Sequence, residues 1–198
     1  QRMENSTDKK MTGGEAIDKS LINEGVETIF GLPGIQLDPM FNALHDSSNE
    51  IRVINARHEQ GVAYMAFGYA QSTGKPGVYA VVPGPGILNT TAALSTAYAC
   101  NSRVLAITGQ IPSSYIGREL GMLHEIPNQL SVLEGLTKFA KRINYPSDAP
   151  AIVSEAFKNM RSGRPRPTAI EMPMDIMQHK SEVALRTFTD GYSPPAAD

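Results

Sequence analysis

The sequence predicts an α/β domain with a doubly wound, mainly parallel sheet and helices on both faces. Three observations carry that expectation. Short runs of β-branched and small apolar residues recur along the chain, each bounded by Gly or Pro. Segments with apolar residues at helical spacing alternate with them, joined by connections of a few residues. Of 198 residues 41% are hydrophobic and the net charge is only -2, which supplies apolar material for one sizeable core.

The elements follow in order. After the polar opening "QRMENSTDKK", the run "GGEAIDKSLINEGV" places Ala16, Ile17, Leu21 and Ile22 at helical spacing, with Gly25 as the stop. "VETIFGLPG" reads as a short strand entering a Pro-Gly turn, and "LDPMFNALHDSS" as a helix that starts near Pro39. Strands are expected at 51 to 56, 77 to 84 and 103 to 110, with helices at 58 to 73 and 87 to 100 between them. Residues 127 to 135 suit a short helix, "TKFAKRI" an extended segment, "PAIVSEAFKNMRSG" an amphipathic helix and "PTAIEMPMD" a last buried strand. From about 178 the chain turns polar and ends Pro- and Ala-rich in "GYSPPAAD", as an interdomain linker does. The expected division is a disordered leader at 1–11, a domain at 12–180 and a linker at 181–198.

Composition excludes several classes of function. No stretch reaches the roughly 20 apolar residues that cross a bilayer, and the opening has no apolar core of a secretory signal. A soluble, cytoplasmic protein with no membrane partner is expected. The near-neutral charge offers no footprint for nucleic acid, and the basic run "RSGRPRP" suits a solvated loop between helix and strand. The single cysteine, Cys100, allows no internal disulfide and is expected as a small buried hydrophobe. His58 and His124 have no second ligand at metal spacing, and Ser113 and Ser114 suit a turn.

In an open parallel sheet, ligands bind at the carboxyl ends of the strands. The loops there are "GLPG" at 31–34, "ARHE" at 56–59, "VPGPG" at 82–86 and "TGQIP" at 108–112. Glycine lets backbone groups approach a flat ligand, and proline holds the loop in shape. None of these loops spells a phosphate motif. Their clustering draws attention to Glu59, a lone carboxylate heading the otherwise apolar or small run "GVAYMAFGYA". The helix dipole favours its anion and apolar surroundings favour its neutral form. A solvent-exposed helix-start carboxylate and a carboxyl sharing a proton with a heterocycle in a dry pocket both fit the pattern.

The segments "GVETIFGLPG", "ARHEQGVAYMAFGYAQSTGKPGV", "GPGILNTTAAL" and "VLAITGQIP", in this order and spacing, resemble the N-terminal pyrimidine-binding domain of thiamine diphosphate enzymes of the acetolactate synthase-like family. "SGRPRPTAIEMPMDI" resembles that family's closing strand, so the likeness covers roughly residues 12 to 180. It implies the flavodoxin-like thiamine diphosphate-binding fold and a transferase or lyase acting on 2-oxo acids. By the resemblance Glu59 hydrogen-bonds N1' of the aminopyrimidine ring and promotes its proton exchange. Leu32, Pro33 and Gly34 would line one wall of that pocket, and Gly84, Pro85, Gly86 and Asn89 the other. The diphosphate and Mg2+ would be held by a separate C-terminal domain, with a G-D-G motif, belonging to another subunit of a homodimer or homotetramer. FAD is compatible with the family. This chain alone would then be half a site and catalytically silent.

Two departures matter. The family's synthases commonly carry an aromatic residue before the Pro-Gly turn and a Phe-Gln pair before the Glu-x-Pro segment, where this chain has Leu32 and Leu123-His124. His124 is therefore expected near the substrate and suggests a different acceptor or reaction. A decarboxylase, or an aldehyde or acyl-CoA lyase, of the same cofactor family is one alternative. A stand-alone, non-catalytic binding module is the other.

Overall fold

The computed structural model describes residues 9–185. Six strands form one parallel sheet: β2 (Thr28–Gly31), β3 (Arg52–Asn55), β4 (Gly77–Val81), β5 (Val104–Gln110), β6 (Phe139–Arg142) and β7 (Thr168–Pro173). Their spatial order is β3-β2-β4-β5-β7-β6, and every neighbouring pair is parallel. Helices α1 (Gly13–Asn23), α2 (Asp38–Asp46) and α7 (Ala149–Arg161) cover one face. Helices α3 (Glu59–Thr73), α5 (Thr91–Ala99) and α6 (Gln129–Leu136) cover the other. Each face has its own apolar cluster, so the strands are apolar on both sides, as the run-like rather than alternating sequence predicts.

Local chemistry explains the element ends. Thr12 and Glu15 form a reciprocal capping box at the start of α1, with bonds of 2.6 and 3.1 Å. The His58 ring accepts from the Gln60 amide at 3.1 Å and caps α3, so the helix begins at Glu59. The helix expected over 87 to 100 is broken into α4 (Pro85–Leu88) and α5. Thr90 makes the break by donating its hydroxyl to Ile87 O at 2.7 Å and accepting from the fully buried Tyr79 hydroxyl at 2.8 Å. Cys100 is exposed beyond the end of α5, contrary to the expectation of burial. It caps the last helical turn, just before the chain returns to the sheet as β5.

The sequence-drawn domain edges pass through structure. β1 (Lys9–Thr12) pairs antiparallel with β8 (Lys180–Val183), which follows the short helix α8 (Met174–Gln178). Met11 and Val183 turn into the core while their neighbours face outward. Four-residue strands are too short for period-2 alternation to stand out among lysines, so this pair reads as polar flanks. The remainder of the expected leader, residues 1–8, and most of the expected linker, residues 186–198, lie outside the described residues.

Candidate functional site

The order of the strands sets where a ligand can sit. The chain leaves β2 to one side to make β3, then returns past it to make β4 on the other side. The carboxyl ends of β2 and β4 therefore frame the switch point, where an open α/β sheet has a crevice. The loops Leu32–Gly34 and Val82–Gly86 follow these two strands, and Glu59 follows β3 next to them.

Close backbone approach makes three glycines necessary here. A Cβ on Gly34 would lie 2.4 Å from Val82 Cγ1, and one on Gly86 would lie 2.6 Å from Val82 Cγ2. Gly84 has φ +60°, and a Cβ there would stand 2.3 Å from the His124 carbonyl oxygen. Gly84 is also held by its own amide, which donates to Gln129 Oε1 at 2.8 Å. Pro83, Gly84 and Gly86 are buried, while Pro33, Pro85 and Asn89 are exposed and Leu32 is half-buried.

Glu59 is half-buried at the first turn of α3. Its Oε2 accepts from Asn89 Nδ2 at 2.9 Å, and its Oε1 faces Gly86, 3.8 Å from where a Cβ would be. Asn89 thus orients the carboxylate, and the missing side chain of Gly86 leaves room beside its second oxygen. The dry pocket expected for this carboxyl is not closed by the chain itself. Nearby apolar side chains are part-exposed, with Tyr64 of α3 at 37% and Leu88 of α4 at 40%.

His124 sits across from this wall in an irregular segment, Ile111–Asn128, that joins β5 to α6. Its backbone has a left-handed φ of 68°, and the same segment has left-handed Gly117, Glu119, Gly121 and Asn128. Ser113 ties the start of the segment to Asp175, through its amide at 2.9 Å and its hydroxyl at 2.5 Å. The structure thus brings together Leu32 to Gly34, Glu59, Gly84 to Gly86 and Asn89 around the switch point, with the His124 backbone packed on Gly84.

Sequence reasoning missed a buried polar network behind this site. Glu171 on β7 is 0% exposed and accepts from Arg142 Nε at 2.6 Å, Gln129 Nε2 at 2.7 Å and Gln110 Nε2 at 3.4 Å. Gln129 also donates to Gly109 O at 3.0 Å, so one side chain links Gly84, β5 and Glu171. A cavity of 620 Å³ opens beside it, lined by Gln110, Gln129, Arg142 and the Ile111–Asn128 segment. The signal was available: Glu171 is the lone charge within the apolar run "TAIEMP". Among the described residues no three His, Cys, Asp or Glu side chains gather as a metal site.

The fold and this crevice define a class: an α/β cofactor-binding domain with an oriented carboxylate at the switch point of its sheet. The family model "Thiamine pyrophosphate enzyme, N-terminal TPP binding domain" matches residues 11–132. The chain belongs to that family. It is 37% identical over 169 residues to a probable 2-ketoarginine decarboxylase of Pseudomonas aeruginosa, covering 85% of this chain and 30% of that protein. It is 40% identical over 170 residues to an acetolactate synthase of Arthrospira platensis, covering 85% and 29%. A probable acetolactate synthase large subunit of Methanocaldococcus jannaschii is 37% identical over 189 residues, covering 93% and 31%. The chain thus spans less than a third of the length of these relatives.

Proposed function

We propose that this chain is the pyrimidine-binding part of a thiamine diphosphate-dependent enzyme that acts on 2-oxo acids. The observation that supports it best is the Glu59 carboxylate, tied at one oxygen by Asn89 and facing a glycine cradle with the other. That arrangement fits a flat nitrogen heterocycle: a carboxyl oxygen for a ring nitrogen, and backbone walls where side chains would collide. Thiamine diphosphate, when bound, supplies the carbon nucleophile and the electron sink that cleavage next to a carbonyl requires.

The residues of this chain have separable tasks in that reading. Glu59 shares a proton with the ring nitrogen, and Asn89 keeps its carboxylate turned toward the crevice. Leu32, Pro33, Gly34, Gly84, Pro85 and Gly86 bind the ring by shape, and Gln129 fixes the Gly84 amide. His124 stands on the substrate side. The diphosphate and its Mg2+ belong to a further domain supplied by another subunit, whose packing on Tyr64 and Leu88 would dry the Glu59 carboxyl. A homodimer or homotetramer of the whole enzyme follows. FAD has no residue assigned to it here.

Between decarboxylation and carboligation, His124 favours the first. An imidazole can deliver the proton that ends a decarboxylation, and the glutamine common to the synthases cannot. Likeness to a protein described as a probable 2-ketoarginine decarboxylase agrees with this. Product analysis of the full-length protein with a panel of 2-oxo acids tests it. Released aldehyde is the expected result, and a coupled carbon-carbon product would assign a synthase instead. No turnover of any 2-oxo acid in the presence of thiamine diphosphate and Mg2+ would overturn the enzyme reading.

A further inference from the structure

We infer that Gln36 is a positioning residue that fixes the tautomer of His124, leaving Nε2 as the ring atom that exchanges a proton with substrate. The inference rests on the reading of His124 as substrate-proximal. Gln36 is only 3% exposed and lies in the single helical turn Ile35–Leu37, directly after the Leu32–Gly34 wall. Its amide spans two consecutive residues of the opposite segment. Nε2 donates to Leu123 O at 3.2 Å, and Oε1 stands 3.0 Å from His124 Nδ1.

The chemistry of the two contacts sets the proton. A backbone carbonyl only accepts, so the amide atom facing Leu123 O is the NH2 group. The other amide atom is an oxygen, which also only accepts, so His124 Nδ1 carries the hydrogen. Turning the amide over would set its oxygen against the Leu123 carbonyl oxygen and lose that bond whichever tautomer the ring took. In the neutral ring an Nδ1–H leaves Nε2 with its lone pair, and Nε2 has no hydrogen-bond partner among the described residues.

The backbone reinforces the side-chain contact. His124 holds a left-handed φ of 68°, uncommon outside glycine, and its carbonyl packs where Gly84 has no Cβ. The His124 backbone is thus packed on Gly84, and its ring is turned by Gln36. With Nδ1–H held by the amide oxygen, the Nε2 lone pair is the ring's open site for a proton.

The test uses the full-length protein with 15N-labelled histidine, sedimented for solid-state NMR at pH 8. Loss of its signal in His124→Asn assigns the residue. The expected wild-type spectrum shows a protonated Nδ1 and an unprotonated Nε2 on His124. In Gln36→Met, near in shape but without either bond, that pattern should be lost. Turnover should fall at least tenfold, with cofactor affinity changed less than threefold. A wild-type His124 protonated at Nε2 alone overturns the inference, whatever the variant does. An altered tautomer in Gln36→Met with unchanged turnover removes the positioning role and His124 from the reaction. Loss of all turnover in the wild type, with the tautomer as expected, would instead strike the proposed function and leave the geometry standing.

Discussion

Replacing Glu171 by leucine removes the buried acceptor on which three donors converge. Two of the bonds it loses are short and charge-assisted, at 2.6 Å from Arg142 and 2.7 Å from Gln129. Bonds to charged groups contribute about 1.5–3 kcal/mol each, so the gross loss is about 3–6 kcal/mol. Against it, leucine adds about 2 kcal/mol of apolar burial, and the Arg142 side chain, 26% exposed, recovers part of its hydration. The net destabilisation is about 2 kcal/mol. Hydrogen-exchange mass spectrometry of the full-length protein reads it locally, as about 30-fold faster exchange in the peptides that carry β7 and Gly84. Gly84 is included because its amide is held by the Gln129 side chain that Glu171 orients. Glu171→Gln keeps the volume and one acceptor, so its effect should be about half. Adding Arg142→Leu to Glu171→Leu removes the orphaned cation and should recover about 1 kcal/mol. A Glu171→Leu protein whose exchange changes less than threefold at both peptides would refute the network as a structural tie.

Four other outcomes follow from the same geometry. Glu59→Gln should lower turnover of the full-length enzyme by about 100-fold or more, with an unchanged circular dichroism spectrum; wild-type turnover would remove Glu59 from the mechanism. Gly84→Ala must seat a Cβ 2.3 Å from the His124 carbonyl at a φ of +60°, so cofactor affinity should fall at least tenfold, measured by titration. Asp18 is buried between α1 and α2, and desolvation raises its pKa above 3.8 despite the Ser47 bond and the nearby Lys19 cation. The folded state then binds its proton more tightly than the unfolded state. Stability from this group is therefore present below the unfolded value and falls as pH rises through the raised folded value. Asp18→Asn should stabilise the protein at pH 7 and lose that advantage in acid, as denaturant melts at the two pH values would show. Finally, Tyr64→Glu on the exposed flank of α3 should lower the oligomeric state of the full-length protein in sedimentation velocity, and an unchanged assembly would remove this flank from the interface.

Much of the fold was legible because each large element carries its own periodic signal. The strands at 77 to 84 and 103 to 110 read as buried apolar runs, and both end in the loops that form the crevice. What stayed hidden depended on partners distant in sequence. β1 and β8 are each four residues and pair across the whole domain, so neither shows a pattern alone. The break between α4 and α5 depends on the Tyr79 hydroxyl reaching Thr90, a contact that propensity cannot anticipate. Gln36 and Gln129 escaped notice for a related reason. An isolated glutamine is compositionally bland, and its role exists only when loops from different strands meet.

Glu59 and Glu171 show how far a single sequence signal reaches. Both are lone carboxylates beside apolar runs, Glu171 inside β7 and Glu59 at the start of α3, just after β3. Only their partners distinguish them. Glu171, itself fully buried, spends one oxygen on Arg142, which matches its charge, and the other on Gln129 and Gln110, so it presents nothing to a ligand. Glu59 spends one oxygen on a neutral amide, has no cation bound to it among the described residues, and turns the other toward a glycine. A carboxylate already paired with a cation has little to gain from a ring nitrogen, whereas one held only by an amide still has its charge to share. In the proposed reading it is this acceptor, more than burial, that separates Glu59 as a binding carboxylate from Glu171 as a structural one. The half-exposure of Glu59 fits the same proposal, in which the subunit that completes the crevice would dry the carboxyl.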